Sequence, residues 1–200
     1  MTLLLEPRWK SYLVTTTAPI LTPQQCDEVI QIGQAQPQEE GKVYVGVEKR
    51  GKRLKEGANT KKRNAKISWI PFKAARPMYS IIERWMLNTN LNHFGFDGMT
   101  LNEEAQYTEY PKGGFYDWHL DVHSNMSDMP PVRKISMTLL LSDPKDFKGG
   151  DLKIMHSQKN IILKRGYAVF FASFMFHRVM PVTKGNRKSL VMWFGGPSFK

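Results

Sequence analysis

Apolar and polar positions change their spacing along this chain, and the change divides it in two. In the first half, Cys26, Val29, Ile30 and Gly33 recur at the spacing of one helix face. Thr22 is a good N-cap, Pro23 suits the first turn, and Gln25 completes a capping box, so a helix is predicted to open there. Cys26 then reads as a small core residue and not a nucleophile. A second helix is predicted over 77–87, with Met78, Ile81, Ile82 and Trp85 as its apolar stripe. Between the two, 67–71 reads as a short strand.

From about residue 104 the chain becomes β-rich. Strands are predicted at 104–110, 115–122, 133–142, 151–155, 160–163, 167–172, 177–182 and 188–195. Turn signals separate them: Pro111-Lys-Gly-Gly, Ser142-Asp-Pro, Lys148-Gly-Gly, Arg165-Gly and Lys184-Gly-Asn. Short strands with tight turns predict a sandwich or jelly roll, with the helices ahead of them covering one sheet. The expected class is mainly β with flanking helices, an α+β chain. The 200 residues suit one domain. Its expected division is a support with a basic loop over 1–100 and a catalytic core over 101–197.

The stretch 39–66 breaks both patterns. It is polar and basic, with Lys49-Arg-Gly-Lys-Arg-Leu-Lys55 and Lys61-Lys-Arg63 at its centre. So few apolar residues predict a mobile loop or an exposed hairpin. It reads either as a lid or basic docking surface over a site, or as a solvated loop. The whole chain carries +11 at pH 7, with a pI near 9.7. That balance favours acidic partners or nucleic acid, or else it is a solvated basic surface. There is no apolar run long enough for a membrane span, and the start lacks the features of a signal peptide. With a single cysteine, which cannot form an internal disulfide, the expectation is a cytoplasmic protein.

The candidate chemistry lies in the β-rich half. His119 and Asp121 are two apart on a predicted strand, so they point to one face. His177 is a third ligand candidate on a later strand. Two imidazoles and one carboxylate with open positions beside them match a non-haem Fe(II) oxygenase site. Arg187 follows His177 and can grip a carboxylate through two parallel hydrogen bonds. Ser189, on the same strand face, could donate another, and Tyr110 could supply a phenolic donor from a neighbouring strand. His123 continues the alternation of His119 and Asp121. A fourth protein ligand would block the open positions, so His123 reads as a loop or rim residue. His156 reads as a loop residue, and His93 is given no role.

These residues carry a family resemblance. Its pieces are Tyr110-x-x-Gly113-x-x-Tyr116-x-x-His119-x-Asp121, Arg133-x-x-Ser136-x-Thr138, Gly149-Gly150-Asp-Leu152 and His177-Arg-Val-x-Pro181 with Gly185-x-Arg187-x-Ser189. Over roughly residues 100–197 the chain resembles the prolyl 4-hydroxylase-like iron and 2-oxoglutarate-dependent dioxygenases, above all their PKHD-type members. The resemblance implies a double-stranded β-helix with N-terminal helices on its larger sheet. It implies His119, Asp121 and His177 as iron ligands and as the catalytic centre. It implies 2-oxoglutarate held by Arg187, Tyr110 and Ser189, O2 as oxidant, and ascorbate as an accessory reductant. Trp193 matches an aromatic that lines the iron pocket in some relatives, against the reading of a core tryptophan. Tyr116 is expected to pack beside the site. Leu140 stands where some animal relatives carry a co-substrate-binding tyrosine, so a drier pocket is expected there.

The reaction implied is hydroxylation of a C–H bond, with succinate and CO2 as co-products. A prolyl residue in a peptide or protein is the first choice of substrate, with the basic 49–66 segment recognising an acidic surface. A free amino acid, small metabolite or nucleic acid is the alternative. No interleaved set of aromatic and basic residues for stacking bases favours the last. A non-catalytic jelly-roll binding module is the remaining reading.

Overall fold

A computed structural model describes residues 11–45, 55–58, 61–122, 131–155 and 160–198. In chain order the elements are β1 (Leu13–Thr15), α1 (Pro23–Gln34), β2 (Glu39–Glu40), β3 (Lys42–Val45), β4 (Lys55–Ala58), β5 (Arg63–Asn64), β6 (Lys66–Ile70) and α2 (Arg76–Thr89). Then come β7 (Ala105–Tyr110), β8 (Phe115–His119), β9 (Val132–Leu140), β10 (Phe147–Gly149) and β11 (Leu152–Ile154). The last are β12 (Ala168–Ala172), β13 (His177–Val179), β14 (Val182–Gly185) and β15 (Arg187–Gly196).

A seven-stranded sheet runs β1-β12-β9-β15-β7-β6-β2, and a four-stranded sheet runs β11-β13-β8-β5. From β7 onward the chain passes between them: β7, β9, β12 and β15 join the large sheet, and β8, β11 and β13 the small one. All these pairings are antiparallel. This back-and-forth winding is that of a jelly roll. Two further pairs, β10 with β14 and β3 with β4, stand apart from both sheets. The second of these makes part of the 39–66 stretch a hairpin, Lys42 opposite Ala58. Residues 46–54, which hold most of its basic run, lie outside the described residues, as do His123 and His156.

Side-chain alternation gives the large sheet two unlike faces. One face contributes Ala105, Tyr107, Met137, Leu139, Phe170, Leu190 and Met192 to a large apolar cluster. Cys26 and Val29 of α1 and Met78, Tyr79, Ile82 and Met86 of α2 belong to that cluster. The other face turns towards the small sheet. It contributes Tyr110, Leu140, Val169 and Phe171 to a second cluster with Leu152, Ile154 and Val179. On that same inner face the polar residues Gln106, Thr108, Ser136, Thr138, Arg187 and Ser189 are also buried. A polar stripe inside a barrel costs stability unless its groups are paired, so it marks the working face.

The start of α1 follows its local sequence. Thr22 Oγ1 accepts from the Gln25 amide at 3.2 Å, and Gln25 Oε1 accepts from the Thr22 amide at 2.9 Å. Helix α2 runs two residues beyond its predicted end and passes into a π turn over Asn90–Phe94. Gly95 closes that turn at φ 69°, a backbone conformation that favours glycine. His93 sits in this turn, well away from the predicted ligands in the chain.

Three strand assignments need correction. The stretch 160–163 is no strand; it touches β11 only through the single bridge from Ile161 to Leu152. The stretch 177–182 is two strands, β13 and β14, which join different sheets. Pro181 lies at the break, where its missing N–H cannot continue a ladder. The sequence pattern also missed β1, which pairs along β12 at the edge of the large sheet.

Gly33 is the tightest helix-to-sheet approach. A Cβ built there would lie 2.4 Å from Tyr107 Cγ, and the Gly33 carbonyl accepts from Ser68 Oγ of β6 at 2.6 Å. Gly33→Ala is expected to push α1 off the sheet and to cost about 1–3 kcal/mol, measured as a lowered Tm. Cys26 is fully buried, and burial pushes its thiol up to about 11. Treatment with a thiol reagent at pH 8 is expected to leave the native protein unlabelled and to label one cysteine after denaturation.

Candidate metal and co-substrate site

Strands β8 and β13 bring the two distant histidines together. Their register sets His177 directly opposite His119. Asp121 lies just past the end of β8, where its amide donates to the Ser173 carbonyl at 3.1 Å. One donor atom from each of His119, Asp121 and His177 falls within 4.8 Å of the others. His119 Nε2 lies 3.7 Å from Asp121 Oδ1, and His177 Nε2 lies 3.4 Å from Asp121 Oδ2.

The hydrogen bonds around the imidazoles fix which nitrogen is available. His119 Nδ1 is 2.8 Å from the Asp117 carbonyl, and His177 Nδ1 is 3.0 Å from the Met175 carbonyl. A carbonyl only accepts, so each Nδ1 carries the proton. Each Nε2 is turned towards Asp121 and is the nitrogen left to bind a cation when the ring is neutral. Burial pushes the His119 imidazole down to about 3, with His177 adding to the shift, so it is neutral at physiological pH. Burial works to raise Asp121, but His177 and His119 outweigh it, with help from the Ser136 hydroxyl, and hold it below its usual range. Two imidazoles and a carboxylate, nearly out of water, form a donor set that fits a divalent cation.

Support for Asp121 comes from deeper in the barrel. Ser136 of β9 and Ser173 are fully buried and share a hydrogen bond of 2.9 Å. Tyr116 packs flat against the His119 ring, centroids 3.5 Å apart and planes within 13°. Phe171 meets His177 edge-on at 4.6 Å. These contacts leave both imidazoles little freedom to rotate.

Arg187 lies on the inner face of β15, opposite Tyr110 of β7 in the strand register. It is 3% exposed, and its Nη1 donates to Ser189 Oγ at 3.0 Å. Ser189 thus braces the guanidinium while keeping its own proton to donate. Burial pushes Arg187 below its ordinary value; Tyr110 and Asp151 work the other way. Beside it is a cavity of 180 Å³, whose lining includes Leu140, Leu152, Ile161 and Leu163 together with the charged Lys148, Asp151 and Arg187. Gly150 helps to make that space: a Cβ there would lie 2.6 Å from Arg187 Cδ. Leu140 supplies an apolar wall, so the cavity is dry on that side. A buried guanidinium at the edge of a small, mostly apolar cavity is a ready receptor for a carboxylate.

Trp193 lies on the same strand as Arg187, opposite Ser136. It is buried but belongs to neither apolar cluster of the described residues. The Arg133 guanidinium covers its ring at 3.9 Å, Trp69 packs at 6.0 Å, and its Nε1 has no hydrogen-bond partner. Its neighbours thus include a guanidinium as well as an aromatic ring. Arg133 is held in turn by Glu103 and donates to the Asp121 carbonyl at 3.4 Å. Sequence reasoning gave Arg133 no role beyond the family pattern, and it missed Gln106 and Arg63 altogether. Nothing local distinguishes them; Arg63 is one of many cations in its run.

Residues 105–195 match the family model described as the 2OG-Fe(II) oxygenase superfamily. Among curated proteins, a PKHD-type hydroxylase of Shewanella sp. (strain ANA-3) is 34% identical over 90 residues, covering 44% of this chain and 40% of that one. The chain thus spans less than half the length of that relative. Among solved structures, a viral collagen prolyl hydroxylase from Paramecium Bursaria Chlorella virus-1 aligns with TM-score 0.70 at 17% identity, covering 93% of this chain and 97% of that one. A prolyl hydroxylase from Trichoplax adhaerens, in complex with a hypoxia inducible factor peptide fragment, aligns with TM-score 0.71 at 18% identity, covering 92% and 84%. At these identities the two structures speak for the fold. The family match spans the strands that carry the cluster and the buried arginine, and over residues 105–195 this chain is similar to the 2OG-Fe(II) oxygenase superfamily.

Proposed function

We propose that this chain is a dioxygenase that hydroxylates a prolyl residue in a peptide or protein, converting 2-oxoglutarate to succinate and CO2. The observation that carries this reading is the convergence of His119, Asp121 and His177 in one sheet with Arg187 buried in the facing one. The prolyl choice draws on the PKHD-type and prolyl hydroxylase relatives. The +11 charge favours an acidic peptide.

In this reading His119, Asp121 and His177 would hold Fe(II). Fe(II) with 2-oxoglutarate supplies the activation of O2 for C–H hydroxylation, with ascorbate as the accessory reductant. Arg187 pairs with the distal carboxylate of 2-oxoglutarate, braced by Ser189, and Tyr110 donates a further hydrogen bond. Leu140, Leu152 and Leu163 keep water from that pairing, which strengthens it. Tyr116 and Trp193 line the substrate side. Residues 1–100 back up the catalytic core, 101–197, as parts of one domain. Their helices share an apolar cluster with the outer face of the large sheet, the face opposite the site.

The test is incubation with Fe(II), 2-oxoglutarate and O2, read by mass spectrometry on a pool of proline peptides, free amino acids and oligonucleotides. The expected result is one added oxygen on proline, with matching succinate. Oxygen gained only by oligonucleotides or free amino acids would replace the substrate and keep the chemistry. His119→Ala is expected to abolish succinate formation and to weaken Mn(II) binding at least about tenfold while the fold is kept, as judged by circular dichroism. Arg187→Ala is expected to raise the KM for 2-oxoglutarate about 100-fold or more, since it removes a buried ion pair; Arg187→Lys should recover part of that loss.

A further inference from the structure

A second buried guanidinium faces the site, and neither the metal cluster nor the Arg187 cavity uses it. Arg63 sits on β5, at the edge of the small sheet, opposite Tyr116 in the strand register. It is 7% exposed. Its Nη2 donates to Gln106 Oε1 at 2.7 Å, and its guanidinium covers the Tyr116 ring at 4.5 Å. Tyr116 in turn is stacked on His119. Arg63 is therefore one ring's thickness further from the metal cluster than Tyr116.

The surroundings of Arg63 leave its charge unanswered. Gln106 is neutral, and among the described residues no carboxylate forms an ion pair with Arg63. Its Nε is buried with no hydrogen-bond partner. A buried cation that lacks a counter-charge is costly, and such groups are usually completed by an anion. Gly41 lets the arginine lie there: a Cβ on Gly41 would be 2.5 Å from Arg63 Nε. The position also separates it from Arg187. Gln106 and Tyr110 mark the two cations on the inner face of β7, and four residues of strand span about 13 Å. Arg187 lies by the mostly apolar cavity at one end. Arg63 lies at the other, near Trp69, which stands opposite Gln106 in the register and packs on Trp193.

We infer that Arg63, held by Gln106 and Tyr116, is a carboxylate-binding subsite on the substrate side of the metal cluster. It receives an anionic group next to the hydroxylated position, through a charge-assisted pair. This inference rests on the peptide-hydroxylase reading and adds to it the feature by which a substrate is chosen. The carboxylate has two possible sources, an Asp or Glu side chain flanking the proline or the free C-terminus of a short peptide.

The test uses the full chain loaded with Mn(II) and 2-oxoglutarate and kept free of O2, with labelled proline peptides followed by fluorescence anisotropy. One set carries Asp or Glu beside the proline and an amidated C-terminus. A second replaces these with Asn or Gln. A third has neutral flanks and a free carboxylate one residue past the proline. At least one carboxylate set is expected to bind at least about tenfold tighter than the Asn and Gln set, and the set that does so identifies the source. Arg63→Gln is expected to bring the sets within about twofold of each other while Mn(II) binding is retained, and Arg63→Lys to restore part of the difference. Equal binding of all sets by the unaltered chain, or a preference that survives Arg63→Gln, would overturn the inference and leave the hydroxylase reading standing. If no peptide binds while Mn(II) and 2-oxoglutarate do, the peptide reading falls and this subsite with it.

Discussion

The pairing of β8 with β13 is the contact on which the site depends. Its register puts His119 opposite His177 and so makes one cluster from residues far apart in the chain. A slip of one residue would turn each side chain to the other face of the sheet. The register is held from both sides. β11 pairs on through Ile154 with His177, and β5 pairs through Arg63 with Tyr116. Val179 and Ile154 anchor the same strands in the inner apolar cluster. The ligands are thus fixed by packing of the sheet before any ion is considered.

Placing polar groups inside a barrel sets a second constraint. Each must find a partner within the protein or be reserved for a ligand. Most are satisfied: Ser136 with Ser173, Arg187 with Ser189, and each histidine Nδ1 with a backbone carbonyl. What stays unsatisfied is informative. The imidazole Nε2 atoms and the Asp121 carboxylate face one another across a gap suited to a cation. The Arg187 guanidinium borders a mostly apolar cavity, and Arg63 Nε has no partner.

Much of this was legible in the chain, and the reason is locality. The capping box at Thr22 and Gln25 forms within one turn, so its residue types alone announce it. Alternation along one strand was enough to suggest that His119 and Asp121 meet, although β8 ends at His119 and Asp121 lies just past it. Strand ends were less legible. Pro181 splits what reads as one strand, and the two parts join different sheets. The 160–163 stretch has strand-like residues but pairs only at Ile161, because pairing depends on what β11 offers and not on the segment itself. The edge strand β1 has too short a pattern to read; its partner β12 defines it.

By itself, the sequence determined the helix start, the two-residue spacing of His119 and Asp121, the later His177 and Arg187, and their likeness to an oxygenase family. These are statements about residue types at fixed separations along one chain. Only the tertiary structure decided which nitrogen each histidine turns to the cluster, that Trp193 is capped by Arg133, and that Arg63 leaves its basic run to lie against Tyr116. Each of these depends on contacts between strands remote in sequence. Such contacts are set by sheet register and burial, which no local pattern of residues encodes.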